Sequence, residues 1–295
     1  MTLIRTRKPH LGIEWPGENA IKTLSDMASG LFVCADVVVR FIDRHDPRRR
    51  LDAMLRAKDR YIAGIEAALD AMYQEALGSI GFWDDEDFVA DFQGILGTVL
   101  IAKNPLSVNA IEQLLHAPRR PSIATISLLG IVLRHTPTVD VFHSSFAEFL
   151  LNRSRCGKDA WFIDQEYHNR RLAIICLDRL LESMQQRRST GTLQEATEKP
   201  LPEHIAYACA FWIDHVCSVT EDKASVAKRA CEFVHQHLLQ WLETMATLRR
   251  SKDATDLLER LLDWVRVSNI VLYFLFAHNL YQYFSLHIMT VCRLF

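Results

Sequence analysis

No G-x-x-x-x-G-K-[ST] occurs in the 295 residues; the one Gly-Lys pair, Gly157-Lys158, is followed by Asp159. Without that loop there is no backbone nest for nucleotide phosphates and no lysine to pair with them, so autonomous ATP binding or hydrolysis is not expected. No G-x-S-x-G elbow exists either, and no Ser, His and Asp grouping stands out for nucleophilic catalysis. The expectation is a protein that is not an enzyme. The seven cysteines contain no C-x-x-C, are odd in number and sit mostly inside apolar helical patterns, which fits free thiols in a reducing compartment. The amino terminus, Met1 to Lys8, lacks the apolar stretch of a secretory signal, so an intracellular, cytoplasmic protein is expected. A net charge of −2 gives no whole-protein attraction to nucleic acid or to an anionic membrane. Local basic clusters, Arg48-Arg49-Arg50 and Arg187-Arg188, read as solvated helix ends.

What is present is helical periodicity over a composition that is 49% hydrophobic, enough for a large core. In one expected helix Leu24, Met27, Ala28, Leu31, Phe32, Ala35, Val38, Val39 and Ile42 recur at three- and four-residue steps as a single apolar stripe. Asp46-Pro47 then caps and opens the next helix, with Leu51, Met54 and Leu55. A third helix carries Ile62, Ile65, Leu69, Met72 and Tyr73. After Gly78 and Gly81 the acidic run Asp84 to Asp87 starts another, because carboxylates suit the positive end of the helix dipole. Shorter helices follow at Val108–His116 and Ile123–Arg134, and Pro137–Val141 favours a strand. Trp161-Phe162-Ile163 is the expected second strand. Three helices, a strand pair and a further helix spell a winged-helix domain over 82–168. Beyond it, helices are expected at Gln165–Gln186, from Pro202 through Val216, at Lys223–Leu248 and at Ala254–Val265, separated at 187–199 by a polar loop.

The end of the chain is unusual. Val267–Cys292 spans 26 residues without Asp, Glu, Lys or Arg, and 18 of them are apolar. As one helix it would extend ~39 Å, enough to cross a bilayer. Yet His278, Asn279, Gln282 and His287 interrupt it, which favours a buried helix pair or an aberrant terminus over a membrane span.

Several segments in order carry a family resemblance. Trp15-Pro16 with Ala20–Ile42, Ile95–Leu115, Phe142–Leu150 (FHSSFAEFL), Arg155–Leu177 and Pro202–His215 resemble successive parts of NACHT-type signalling ATPases, most strongly the large fungal, NLR-like group. The resemblance implies a mainly α fold: a helical end of the NACHT module (1–81), a winged-helix domain with a short strand pair (82–168), a stacked helical, superhelical domain (169–266), and an atypical tail (267–295). It also implies that His143 matches the histidine that lies against the phosphates of bound ADP in complete relatives, where ATP or ADP and Mg²⁺ are the cofactors. Ser145, Phe146, Glu148 and Phe149 match the helix behind it. On spacing alone, a lone histidine beside a strand reads first as a hydrogen-bonded structural residue. With no phosphate loop in the chain, His143 is expected to sense nucleotide only if a P-loop domain is paired with it.

Other constellations are weaker. Cys209, His215, Cys217, Cys231, His235 and His237 sit among Phe211, Trp212, Phe233 and Trp241 rather than in turn-rich segments with closely paired ligands, so no metal site is expected. Trp161, Trp212, Trp241 and Trp264 lie on apolar stripes and read as core. The third helix of the winged-helix pattern offers Arg134, with Arg119 and Arg120 just before it, too few side chains for major-groove reading.

The chain thus reads as a non-catalytic regulatory or protein-interaction part of a NACHT signalling protein, with protein partners that include NACHT-type relatives and with no cofactor of its own. Two alternatives stand beside it. One is a nucleotide-dependent switch ATPase whose P-loop domain is supplied in trans or missing from the gene model. The other is a membrane-associated helical protein acting through 267–295. A truncated product with a retained intron translated past Val265 would account for the composition of the tail.

Overall fold

The computed structural model describes residues 4, 6, 8–28, 32–43, 46–56, 65–116, 122–189 and 200–268. Among them the chain is mainly helical, with one short antiparallel hairpin. It divides into two compact units: Met1–Leu100 with Arg119–Ile163, and Ile101–Pro118 with Asp164–Phe295. The sequence division at 81/82 and 168/169 does not coincide with this partition, since residues 101–118 group with the helices that follow 164.

The first unit begins with a 3₁₀ turn, Pro9–Leu11, then α1 (Glu18–Ala28), α2 (Phe32–Ile42) and α3 (Pro47–Arg56). The Asp-Pro signal acts as its chemistry predicts: Asp46 Oδ1 accepts the Arg49 N–H at 3.1 Å, and Pro47 takes the first helical position. α4 (Ile65–Gly78) buries Leu69, Met72, Tyr73, Ala76 and Leu77. α5 (Glu86–Ile101) starts where the acidic run predicts, with Asp85 Oδ1 accepting the Phe88 N–H at 3.1 Å. Phe88 and Phe92 on its buried side meet Trp83 edge-on, and Trp83 meets Trp161 in the same manner at 5.5 Å.

The helix predicted for Ile123–Arg134 is α7 (Ser122–Leu128) and ends six residues early. Leu129 and Gly130 turn the chain, and the β-branched pair Ile131-Val132 then leads into strand β1 (Leu133–Arg134). That strand is the partner of β2 (Asp140–Val141), in the register Leu133↔Val141 and Arg134↔Asp140. Trp161–Ile163, the expected partner, forms no strand. Trp161 is buried against Trp83, and the Ile163 N–H bonds the Leu150 carbonyl at 2.9 Å, tying the segment to a helix end instead. After β2 come α8 (Ser144–Leu151) and the single turn α9 (Arg153–Cys156). Asn152 caps α9, and Gly157, at φ 73°, ends it in the left-handed region that favours glycine.

In the second unit α6 (Val108–Leu115) is capped by Ser107, whose Oγ accepts the Ala110 N–H. It packs with α10 (Gln165–Ser189) and α11 (Glu203–Cys217), while α12 (Lys223–Thr247) and α13 (Ser251–Ser268) complete the unit. α11 lies at its centre and touches each of the other four helices. Of the tryptophans expected in this core, Trp212 and Trp241 are fully buried, cross edge-to-face at 6.0 Å, and the Trp241 indole N–H donates to the Cys209 carbonyl, whereas Trp264 is only half-buried and donates to the Val219 carbonyl. Among the described residues no helix is long and apolar enough to cross a membrane. The membrane reading of 267–295 falls, apart from the last two residues of α13, outside the described residues.

Candidate functional site

β2 ends at Val141, and two residues later the chain enters α8, so the backbone of His143 is extended (φ −151°, ψ 143°) and the residue is the N-cap. Its Nδ1 accepts the Ser145 N–H at 3.1 Å and lies 2.8 Å from the Ser145 hydroxyl. Ser145 Oγ is in turn 2.7 Å from the Tyr73 hydroxyl of α4, 72 residues away in the chain. Tyr73 and Ser145 are buried, whereas His143 is exposed. Phe146 and Phe149, on the inward face of α8, pack on the Tyr73 ring at 5.0 and 5.4 Å.

Other side chains from α2, β1, α4 and α9 brace the same junction. Arg40 of α2 stacks over Phe142 with its guanidinium carbon 3.9 Å from the ring centre, and Arg134 of β1 lies 5.8 Å from the same centre. Both arginines are also paired, Arg40 with Asp36 and Arg134 with Asp140. Arg155 makes a two-pronged pair with Asp70 of α4, and Gln74, one turn further along α4, donates to the Arg155 carbonyl. The exposed Glu148 lies 3.8 Å from the same arginine. α4 therefore supplies one face that holds α8 and α9 by three polar contacts and an aromatic cluster.

Of the sequence candidates, the histidine and the helix behind it are thus brought together, with Tyr73, Ser145 and Arg40 around them. The sequence places Tyr73 on an ordinary apolar stripe, and nothing in its local pattern distinguishes its hydroxyl's role from plain core. Arg119 and Arg120 lie outside the described residues.

The histidines and cysteines weighed as metal ligands do something else. Among the described residues no three His, Cys, Asp or Glu side chains converge as a metal would require. His215 is fully buried in the second unit, with Nε2 2.7 Å from the Tyr207 hydroxyl and Nδ1 3.3 Å from Asn169 Oδ1. The Tyr207 oxygen accepts the Lys103 backbone N–H, and Asn169 donates to the Gln165 carbonyl. Asn169 Oδ1 can only accept, so Nδ1–H donates to it; burial disfavours the charged ring, which leaves Nε2 to accept the Tyr207 proton. Burial, aided by the charge of Lys103, lowers the His215 pKa to about 3, and burial raises that of Tyr207. Cys209 is buried and gives its carbonyl to Trp241; Cys217 and Cys231 are half-buried thiols, each pushed up to about 11, chiefly by burial. His237 bonds Gln240. The signal for this network was the spacing of Tyr207 and His215, eight residues or just over two turns apart, which puts both on one side of α11.

No protein-family model, no curated protein and no solved structure matches the chain.

Proposed function

We propose that the chain is a non-catalytic regulatory or protein-interaction part of a NACHT-type, NLR-like signalling ATPase. In this reading 82–168 is a winged-helix domain followed by a superhelical domain, and His143 meets nucleotide only when a P-loop module is supplied by a protein partner. The observation that carries it is the place of His143. It stands at a strand-to-helix junction, exposed, with one ring nitrogen engaged by the helix behind it. A ring so placed can donate to a phosphate oxygen held by another domain. Loss of that contact would free the domain to rotate, a ligand-biased rigid-body switch. The lack of a phosphate loop in the sequence supports the non-catalytic part of the reading.

Two measurements test this. Titration of the full chain with a fluorescent ADP analogue and Mg²⁺ is expected to show no saturable binding; saturable, Mg²⁺-dependent binding lost in His143→Ala would overturn it. Co-elution with the P-loop module of a complete NACHT-type protein is expected with ADP present, weakened several-fold by His143→Ala. No co-elution in any nucleotide state counts against it equally.

A further inference from the structure

The hydrogen bonds around His143 form a chain whose proton positions follow from one another. The Ser145 backbone N–H points at Nδ1 at 3.1 Å, and an amide can only donate, so Nδ1 is an acceptor and bears no proton. With Nδ1 unprotonated, the Ser145 hydroxyl 2.8 Å away satisfies the contact only by turning its proton to that nitrogen, since the opposite arrangement sets two lone pairs face to face. Ser145 Oγ, its own proton committed to Nδ1, accepts the proton of the Tyr73 hydroxyl at 2.7 Å. Tyr73 is held in place by Phe146 and Phe149 and by its burial in α4, so the far end of the chain is rigid.

We propose that Tyr73 and Ser145 are positioning residues that lock His143 as its Nε2–H tautomer and aim that N–H away from α8, as a neutral hydrogen-bond donor for an oxygen acceptor. Nε2 stands across the ring from Nδ1, so anchoring Nδ1 at the helix start turns the Nε2–H outward. The other tautomer would set the Nδ1–H against the Ser145 backbone N–H at the cap, a clash that rotation of the serine hydroxyl cannot relieve. The donor needs no positive charge, because the relay supplies the orientation that an ion pair would otherwise have to provide. The tautomer lock rests on these hydrogen bonds alone; that the acceptor is a phosphoryl oxygen rests on the function proposed above.

The test uses the full chain labelled with ¹⁵N-histidine. Long-range ¹H–¹⁵N spectra separate the two tautomers, and the His143 resonances are those lost in His143→Gln. The expected spectrum shows Nε2 protonated and a hydrogen-bonded Nδ1. In Tyr73→Phe, which keeps the ring packed on Phe146 and Phe149, the Nδ1 resonance should move toward that of an unbonded nitrogen. Ser145→Ala should move it further. A protonated Nδ1, or an Nδ1 resonance unmoved in both variants, overturns the lock. Co-elution with an ADP-loaded P-loop module reads the second layer: Tyr73→Phe should weaken it about fivefold, the equivalent of one hydrogen bond. An intact lock with undiminished co-elution in both variants overturns the phosphoryl oxygen as the acceptor while the lock stands.

Discussion

His215 carries a consequence that its burial makes measurable. Folding keeps its imidazole neutral down to about pH 3, chiefly because burial penalises the charged ring, whereas the unfolded chain takes up a proton near the ordinary value of ~6.5. His168, buried in the same unit, behaves alike, lowered to about 4 by burial and then by the charge of Arg171. The sign follows: the unfolded state binds more protons in acid, so stability is complete above about pH 6.5 and falls as pH drops toward those folded values. Each histidine contributes a slope approaching ~1.4 kcal/mol per pH unit. Urea unfolding of the full chain between pH 7.5 and 4.5 should show this loss, and His215→Gln should remove about one proton of it. An unchanged slope in that variant would refute the assignment. The hydroxyl of Tyr207 is the second lever. Tyr207→Phe strands the buried His215 Nε2 and removes the acceptor of the Lys103 N–H, and is expected to cost about 1–3 kcal/mol at pH 7.5 by the same measurement.

The helix α4 shows how an element that reads as plain core can organise its neighbours. Its apolar side fills the first unit, while Asp70, Tyr73 and Gln74 along one edge hold Arg155, Ser145 and the Arg155 carbonyl. Asp70 and Arg155 are each only 15% exposed, so the pair is screened little, and removing Asp70 takes away the nearer of the two carboxylates beside Arg155, the exposed Glu148 lying 3.8 Å away. Asp70→Ala is expected to cost about 2 kcal/mol; the double change to Asp70→Leu with Arg155→Met should recover most of it, because two apolar groups replace two charges. Denaturant midpoints of the three proteins check both statements. Much of this element layer was legible in the sequence. The Asp46-Pro47 and acidic-run starts and the strand at 140–141 appear where capping and β propensity place them. The single stripe expected from Leu24 to Ile42, by contrast, is carried by two helices and leaves Phe32 and Ala35 exposed, with Leu31 outside the described residues. The shortened α7 and the partner strand were not legible, because Ile131-Val132-Leu133 satisfies a helical stripe and a buried strand equally well, and only pairing with 140–141 decides between them. The cap role of His143 was not legible, because residue preference would place the cap on Ser144 or Ser145. The link to Tyr73 was not, since 72 residues of intervening chain leave no local trace.

The course of the chain through its two compact units bears on which pieces can fold alone. Residues 101–118 lie between segments of the first unit in sequence, yet their partners are in the second. The Lys103 N–H is taken by Tyr207, the Ser107 N–H and hydroxyl by Glu203, and the buried face of α6, Ala110, Ile111 and Leu114, packs with α10 and α11. A fragment cut at the boundaries that the sequence suggests, 82–168, contains α6 without any of these partners. Its Ile111 and Leu114 would be left in water, at a cost of roughly 1.5–3 kcal/mol for each large apolar side chain so exposed. The same fragment lacks α4, and with it the aromatic ring on which Phe146 and Phe149 rest. We expect 82–168 to show helical circular dichroism without a cooperative urea transition and to bind a hydrophobic dye. The chain 1–268, which keeps both sets of partners, should unfold cooperatively. Cooperative unfolding of 82–168 at a midpoint close to that of 1–268 would mean that residues 101–118 do not depend on α10 and α11, and that 82–168 is an independent unit after all.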